Sequence, residues 1–276
     1  MKNILTIDFE DWYQDTKFKY WDNYENRIVQ NTNKLLSVLN EMKTIATFFI
    51  VGYNAEQFPQ LIENIKDNGH EIGIHGYCHM HLSNQNSAEF KEDLSKSIHI
   101  LEKISDGKIR SYRAPYFSLT EETSWILDII KEKRIKNDSS IFPVKTHLYG
   151  IPKAPRFPYY VSSSNLLIED DNENLLEFPI STYRLPFSRY NIPIGGGFYL
   201  RFFPYRFIKH AIKKINKEKQ PSVFYFHPWE LDPNQPRIKS YKWWKYYNLD
   251  KSERKLMKLL KDFKFTSIEE YVDNLT

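Results

Sequence analysis

Short apolar runs and stretches of helical periodicity take turns along this chain of 276 residues. That alternation constrains the fold more than any other feature. Repeated strand–helix units assemble into a parallel sheet with helices packed outside it. Ile4 to Ile7 is a short apolar run ending in acids, the pattern of a buried strand. Ile28, Leu35, Leu36, Leu39 and Met42 recur at helical spacing, and Ala46 to Val51 predicts the next strand. Leu61, Ile62 and Ile65 predict a helix that Gly69 closes with a left-handed cap. Glu71 to Ile74 predicts a third strand, and Leu94, Ile98, Leu101 and Ile104 a third helix.

The pattern persists downstream. Ser111 to Ala114 reads as a short strand. Ser118-Leu119-Thr120-Glu121 reads as a capping box opening a helix through Ile130. From Asp138 to about Asn174 the chain is rich in Pro, Tyr and Ser and reads as an elaborated loop. Leu175 to Ile180 predicts a strand, Phe207 to Ile215 a helix, Ser222 to Phe226 a strand and Arg254 to Phe263 a helix. The chain has neither GxGxxG nor a P-loop, which favours a barrel over a nucleotide-binding open sheet. Gly195-Gly196-Gly197 lacks a following Lys-Ser/Thr and predicts a tight turn or a close backbone approach.

Composition excludes several classes. The formal charge is +4, with Lys and Arg interleaved among acids, so no basic run suits nucleic acid. The densest basic stretch, Lys209 to Lys219, reads as the outer face of a helix. The single cysteine, Cys78, excludes an intramolecular disulfide and a Cys-based zinc site. The N-terminus lacks an apolar stretch long enough for a signal peptide, and no run approaches membrane-spanning length, so a cytoplasmic protein is expected.

Four clusters carry chemistry, each at or just beyond the end of a predicted strand, where βα barrels place their active sites. Asp8-Phe9-Glu10-Asp11-Trp12 sets three acids within four residues, and carboxylates so crowded call for a cation or a proton. His75-Gly76-Tyr77-Cys78-His79 presents two histidines at i and i+4, which converge on one metal if the segment turns helically. With one acid they make a set that leaves positions open for water and substrate. Arg113-Ala114-Pro115-Tyr116 ends a strand with an arginine that is costly to bury without a carboxylate. His227-Pro228-Trp229-Glu230 follows the apolar strand, where His227 could serve as a general acid.

In their order along the chain these clusters resemble the polysaccharide deacetylase family, the NodB-homology group or carbohydrate esterase family 4. Asp138-Ser139-Ser140-Ile141-Phe142-Pro143, Gly195-Gly196-Gly197-Phe198 and His227-Pro228-Trp229-Glu230-Leu231-Asp232-Pro233 are similar to strings of a subgroup found with exopolysaccharide biosynthesis. The resemblance runs from about residue 4 to about residue 238. It implies an irregular or incomplete (β/α) barrel of about seven parallel strands, forming a single catalytic domain over 1–276. It also implies a divalent ion, Zn²⁺, held by His75, His79 and one acid. The family's usual adjacent pair of Asp residues is interrupted here by Phe9, which leaves Glu10 and Asp11 both open as the third ligand. Asp8 would be the general base, Arg113 its partner and the Tyr116 N–H an oxyanion donor, with His227 protonating the leaving nitrogen. The reaction implied is release of acetate from an acetamido sugar.

The extended loop and the Trp229-Glu230-Leu231-Asp232 segment are expected to wall a cleft, with Trp12 or Trp229 stacking on a sugar face beside Pro115. The partner is then a carbohydrate, available in the cytosol as a biosynthetic intermediate. Two rival readings remain at this point. One is a hydrolase of another C–N bond, as in allantoinase-like relatives of the fold. The other is a carbohydrate-binding protein that has lost catalysis.

Overall fold

In the computed structural model, residues 1–146, 149–162, 164–185, 188 and 190–275 are described. The strands are β1 (Asn3–Phe9), β2 (Thr47–Ile50), β3 (Glu71–Ile74), β4 (Ser111–Tyr112), β5 (Asn137–Asp138) and β6 (Tyr159–Ser162). They continue as β7 (Asn165–Glu169), β8 (Leu176–Glu177), β9 (Thr182–Arg184), β10 (Asn191–Pro193), β11 (Val223–Phe226) and β12 (Phe265–Thr266). The chain forms two compact units, each assembled from separated stretches, and the division falls inside β2 between Phe48 and Phe49.

The unit containing residues 1–48, 64–71 and 194–276 is organised on β1. All seven residues of β1 are buried, which is why it reads as a continuous apolar run rather than an alternating one. It pairs in parallel with β11, Ile4 opposite Val223 and Ile7 opposite Phe226, and with β12 at Asn3 and Ile4. Thr6 donates its hydroxyl to the Phe224 carbonyl, so even the polar member of the run is satisfied inside the sheet. The helices Ile28–Glu41, Tyr205–Lys217 and Ser252–Asp262 turn apolar stripes inward. On the middle one Ile208, Ala211, Ile212 and Ile215 are buried while Lys213, Lys214 and Lys217 are exposed, as the basic stretch predicts.

The unit containing residues 49–63 and 72–193 carries β3, β4, β5 and β8 in parallel order. Backbone bonds step across their ends. His75 N–H donates to Ile50, Arg113 to Ile74, Ser139 to Tyr112 and Phe178 to Asp138, at 2.9, 2.9, 3.0 and 2.8 Å. The residue after each strand is therefore fixed against the end of its neighbour. The helix Ser87–Ser105 opens on a full capping box between Asn86 and Glu89. Pro59–Asp67 is closed by Gly69 at φ +82°, as expected.

Two expectations of local structure are corrected. The Ser118 hydroxyl donates to the Pro115 carbonyl and caps no helix. The capping box is Thr120 with Thr123, and the regular helix begins at Ile126. Nor is the stretch from Asp138 to Asn174 wholly loop. It contains β6 and β7, an antiparallel pair added to the edge of β8. Tyr159 and Val161 turn inward with exposed Tyr160 between them, an alternation obscured by the neighbouring prolines and serines. Among the described residues no helix is long and apolar enough to cross a membrane.

His70 ties the end of one helical segment to β2. Its Nδ1 accepts from Ala46 N–H at 3.2 Å, and burial pushes the imidazole down to about 4 from 6.5. A histidine held neutral in the fold supports stability above its free pKa, and that support is lost as pH falls through the folded value. Stability should therefore decline by about 3 kcal/mol between pH 6.5 and 4 on this account. Urea unfolding across that window should show a shallower decline in His70→Gln; parallel declines would remove the assignment.

Candidate active site

The register of β1 with β11 decides which side chains meet. Ile7 faces Phe226, so Asp8 and His227 come next on neighbouring strands. Glu10 lies one residue beyond the end of the strand, where its N–H turns back to donate to the Asp8 carbonyl at 3.0 Å. His227 Nε2 lies 2.9 Å from Glu10 Oε1 and 3.8 Å from Asp8 Oδ2. Its Nδ1 lies 2.9 Å from Glu230 Oε1, across the short 3₁₀ turn Pro228–Leu231. Burial works against the charged ring, but the carboxylates of Glu10 and Glu230 outweigh it and hold His227 at about 10.

Glu230 is itself fixed from behind. The Arg201 Nε donates to its Oε2 at 2.9 Å, and the same guanidinium donates to the Tyr247 carbonyl. Burial would raise the Glu230 carboxyl, yet Arg201 and His227 bring it below the ordinary glutamate range. The glycine triplet makes this possible. A Cβ on Gly197 would stand 2.0 Å from Glu230 Oε1, and one on Gly196 would stand 2.5 Å from the Tyr225 ring. The expected close backbone approach is thus made toward the residue that holds His227.

Asp11 is occupied differently from Glu10. Its Oδ1 accepts from Trp12 N–H at 2.8 Å, and its Oδ2 from Arg27 and Ile28 N–H at 2.7 and 3.1 Å. These bonds tie the acidic segment to the first turn of Ile28–Glu41.

Trp12 and Trp229 are not sugar platforms. Trp12 is 3% exposed, donates its indole N–H to the Glu25 carbonyl and packs edge-on against Tyr13 and Tyr24. Trp229 is 5% exposed, stacked on His227 at 4.9 Å with the Lys245 ammonium 4.0 Å from its ring centre. Both belong to the packing behind the site. The Trp229–Asp232 segment is buried along its length, and Asp232 pairs with Arg27, so it walls no cleft. The more exposed tryptophans are Trp243 and Trp244.

The other unit holds the histidine pair and the arginine. His75 and His79 do not reach each other through a helical turn. Left-handed backbone at Gly76 (φ +69°) and His79 (φ +49°) bends the segment, and the rings stand 4.9 Å apart. Asp93, on the helix Ser87–Ser105, fastens this bend by accepting from Tyr77 N–H at 2.8 Å and Cys78 N–H at 3.4 Å. His75 Nδ1 lies 2.8 Å from the Arg113 carbonyl, which can only accept. In the neutral ring the proton is therefore on Nδ1 and the lone pair on Nε2, the form a metal requires.

Arg113 is fully buried. Its Nε donates to the Ser139 carbonyl at 2.8 Å, its Nη2 to the Ser139 hydroxyl at 2.6 Å, and its guanidinium lies over Phe49. Tyr116 takes φ +60°, with its ring 4.5 Å from that of His79. Pro115 is buried against Gly76, next in the chain to Tyr116. Arg201 and Asp93 escaped the sequence reading, in which Ser139 stands within the 138–143 string without a role. Glu230 was visible within its motif, and its i+3 spacing from His227 was the available signal.

Residues 4–135 match the polysaccharide deacetylase family, and residues 139–273 match a family described as a domain of unknown function (DUF3473). The chain is 30% identical over 120 residues to a peptidoglycan-N-acetylglucosamine deacetylase of Bacillus cereus, covering 39% of this chain and 44% of that protein. It is 33% identical over 86 residues to a chitooligosaccharide deacetylase of Azorhizobium caulinodans, covering 31% and 41%. The matches thus span less than half the length of either relative. The crystal structure of a putative polysaccharide deacetylase from Mycobacterium smegmatis superposes with a TM-score of 0.63 at 17% identity, covering 99% of this chain and 90% of that one. That likeness shows the fold, the incomplete (β/α) barrel expected from the sequence. Residues 4–135, just under half of the chain, carry the likeness to the polysaccharide deacetylase family.

Asp11 bonded to three backbone N–H groups should behave as a structural acid. Asp11→Ala strands those donors, so it should cost about 1–3 kcal/mol of folding free energy. Glu10→Gln should cost less. Equal unfolding midpoints for Asp11→Ala and wild type would show that the bonds do not hold the segment.

Proposed function

We propose that this chain is a metal-dependent hydrolase that removes the N-acetyl group from an acetamido sugar of a polysaccharide or glycan intermediate, releasing acetate. The observation that carries this reading is His227 set between Glu10 and Asp8 on one side and Glu230 on the other. An imidazole so held is a proton donor poised beside two acids gathered at the end of β1. The relatives' names, peptidoglycan and chitooligosaccharide deacetylases, support an acetamido sugar over a ring amide or a purely binding role.

The donor chemistry fits a divalent ion. His75 has its lone pair directed to Nε2 by the Arg113 carbonyl, and His79 is buried beside it. Glu10 is the third ligand in this reading, because both oxygens of Asp11 are engaged by backbone N–H groups. We take the ion to be Zn²⁺, for which two histidines and a carboxylate are a common catalytic set. When bound it would polarise the acetamide carbonyl and lower the pKa of a water.

The protein's own residues do the rest. Asp8 takes the proton of the attacking water as general base. Arg113, seated on Ser139, holds that base in place. The Tyr116 N–H, presented by a left-handed turn, donates to the oxygen that gains charge. His227 delivers a proton from Nε2 to the departing sugar nitrogen, while Glu230 and Arg201 keep its ring oriented through Nδ1.

Acetate release should be measured on acetylated chitooligosaccharides and peptidoglycan fragments. Chelator treatment should abolish it and Zn²⁺ restore it. Asp8→Asn and His227→Ala should each lower kcat by about 10²–10⁴-fold with metal content unchanged, whereas Glu10→Gln should lower metal content. Full activity in protein shown to be metal-free would sink the mechanism.

A further inference from the structure

Two acids that the mechanism does not use are buried directly behind the arginine. Asp138 ends β5 and Glu177 ends β8, opposite each other in parallel register, and neither is exposed at all. Asp138 Oδ1 accepts the Ser140 hydroxyl at 2.5 Å, and Glu177 Oε1 accepts Ile141 N–H at 3.0 Å. The second oxygen of each, Asp138 Oδ2 and Glu177 Oε2, is buried and has no hydrogen-bond donor among the described residues.

Two ionised carboxylates so placed, both fully buried, would repel strongly. Two buried acceptors without a donor would add the cost of unsatisfied polar groups. A single proton removes both difficulties. Carried by one carboxyl, it gives the orphaned oxygen of the other its hydrogen bond. Burial and the charge of Asp138 both push Glu177 well above the ordinary glutamate range. Burial also raises Asp138, with Ser140, Glu177, the Ser139 N–H and the Arg113 charge acting the other way. The other ionisable groups acting on the pair are the Tyr112 phenol on β4 and the Tyr159 phenol on β6, both pushed up by burial and neutral. Asp93 and Glu169 act on those two phenols from the helix Ser87–Ser105 and from β7.

The pair is one residue from the seat of Arg113. Ser139, next to Asp138, receives the guanidinium at both its carbonyl and its hydroxyl. That hydroxyl donates in turn to the carbonyl of Phe178, next to Glu177, at 2.8 Å. The same two strand ends thus carry both the acid pair and the clamp on the arginine.

We propose that Asp138 and Glu177 share one proton and together act as a positioning pair for Arg113, offsetting its guanidinium with a single negative charge. The consequence for catalysis rests on the deacetylase reading above; the shared proton does not.

Infrared spectroscopy of the full chain at pH 8 should show the carbonyl stretch of a buried protonated carboxyl, and Glu177→Gln should remove it. The ¹⁵N resonance of Arg113 Nε should titrate at alkaline pH in wild type, as the proton is lost, and stay flat in Glu177→Gln. Where acetate release is observed, Glu177→Gln should keep kcat within about threefold, with its alkaline limb moved to higher pH and KM unchanged. Asp138→Asn, which removes the charge, should lower kcat at least tenfold. A wild-type spectrum without the protonated-carboxyl band overturns the shared proton. An Arg113 resonance or alkaline limb identical in wild type and Glu177→Gln overturns the positioning role. Absence of acetate release alongside an intact band and resonance would count against the deacetylase reading alone.

Discussion

The parallel pairing of β1 with β11 is the constraint on which the candidate chemistry depends. Both strands are buried along their length, and the Thr6 hydroxyl bonded to the Phe224 carbonyl adds a side-chain tie to their backbone ladder. The register that buries Ile7 and Phe226 also sets Asp8 beside His227, with Glu10 close behind. Core packing and proton chemistry are thus specified by the same backbone ladder.

Around that ladder the polar groups are held in layers. Glu230 orients His227, Arg201 holds Glu230, and carbonyls from the 243–247 segment receive Arg201. In the other unit Ser139 holds Arg113, and the Arg113 carbonyl holds His75. Each charged group meets its partner inside a buried network, where an unmatched member would be costly. This explains why glycine occupies position 197 and serine position 139. Neither acts on substrate, and both make room or supply a bond for residues that are proposed to.

Much of the fold is legible in the sequence because buried parallel strands are continuous apolar runs. Ile4 to Ile7, Glu71 to Ile74 and Val223 to Phe226 fall where the pattern places them. The hairpin of β6 and β7 is not legible, since short edge strands with Ser and Pro neighbours carry a weak alternation. Among the site residues, their types and strand-end positions are visible, but their environments are not. Periodicity cannot tell that Trp12 and Trp229 face inward, because aromatic residues next to a strand end suit a core and a cleft equally. The bend at His75–His79 is missed for a related reason: the i, i+4 spacing suggests a helical turn, whereas left-handed backbone at Gly76 and His79 achieves the approach. Arg201 lies too far from His227 in sequence for any spacing rule to connect them.

The placement of β1 also has a consequence for how such a chain comes into being. The partners of this strand, β11 and β12, follow it only far along the chain; the Thr6 hydroxyl bonds to a carbonyl 218 residues away. Closing so long a loop makes this pairing a late and slow event in folding. During translation Ile4-Leu5-Thr6-Ile7 must emerge without these neighbours, an apolar β-prone segment open to wrong partners. The sequence that secures the proton chemistry in the finished protein is thereby also a liability of the nascent chain, and a chaperone that shields this segment would relieve it.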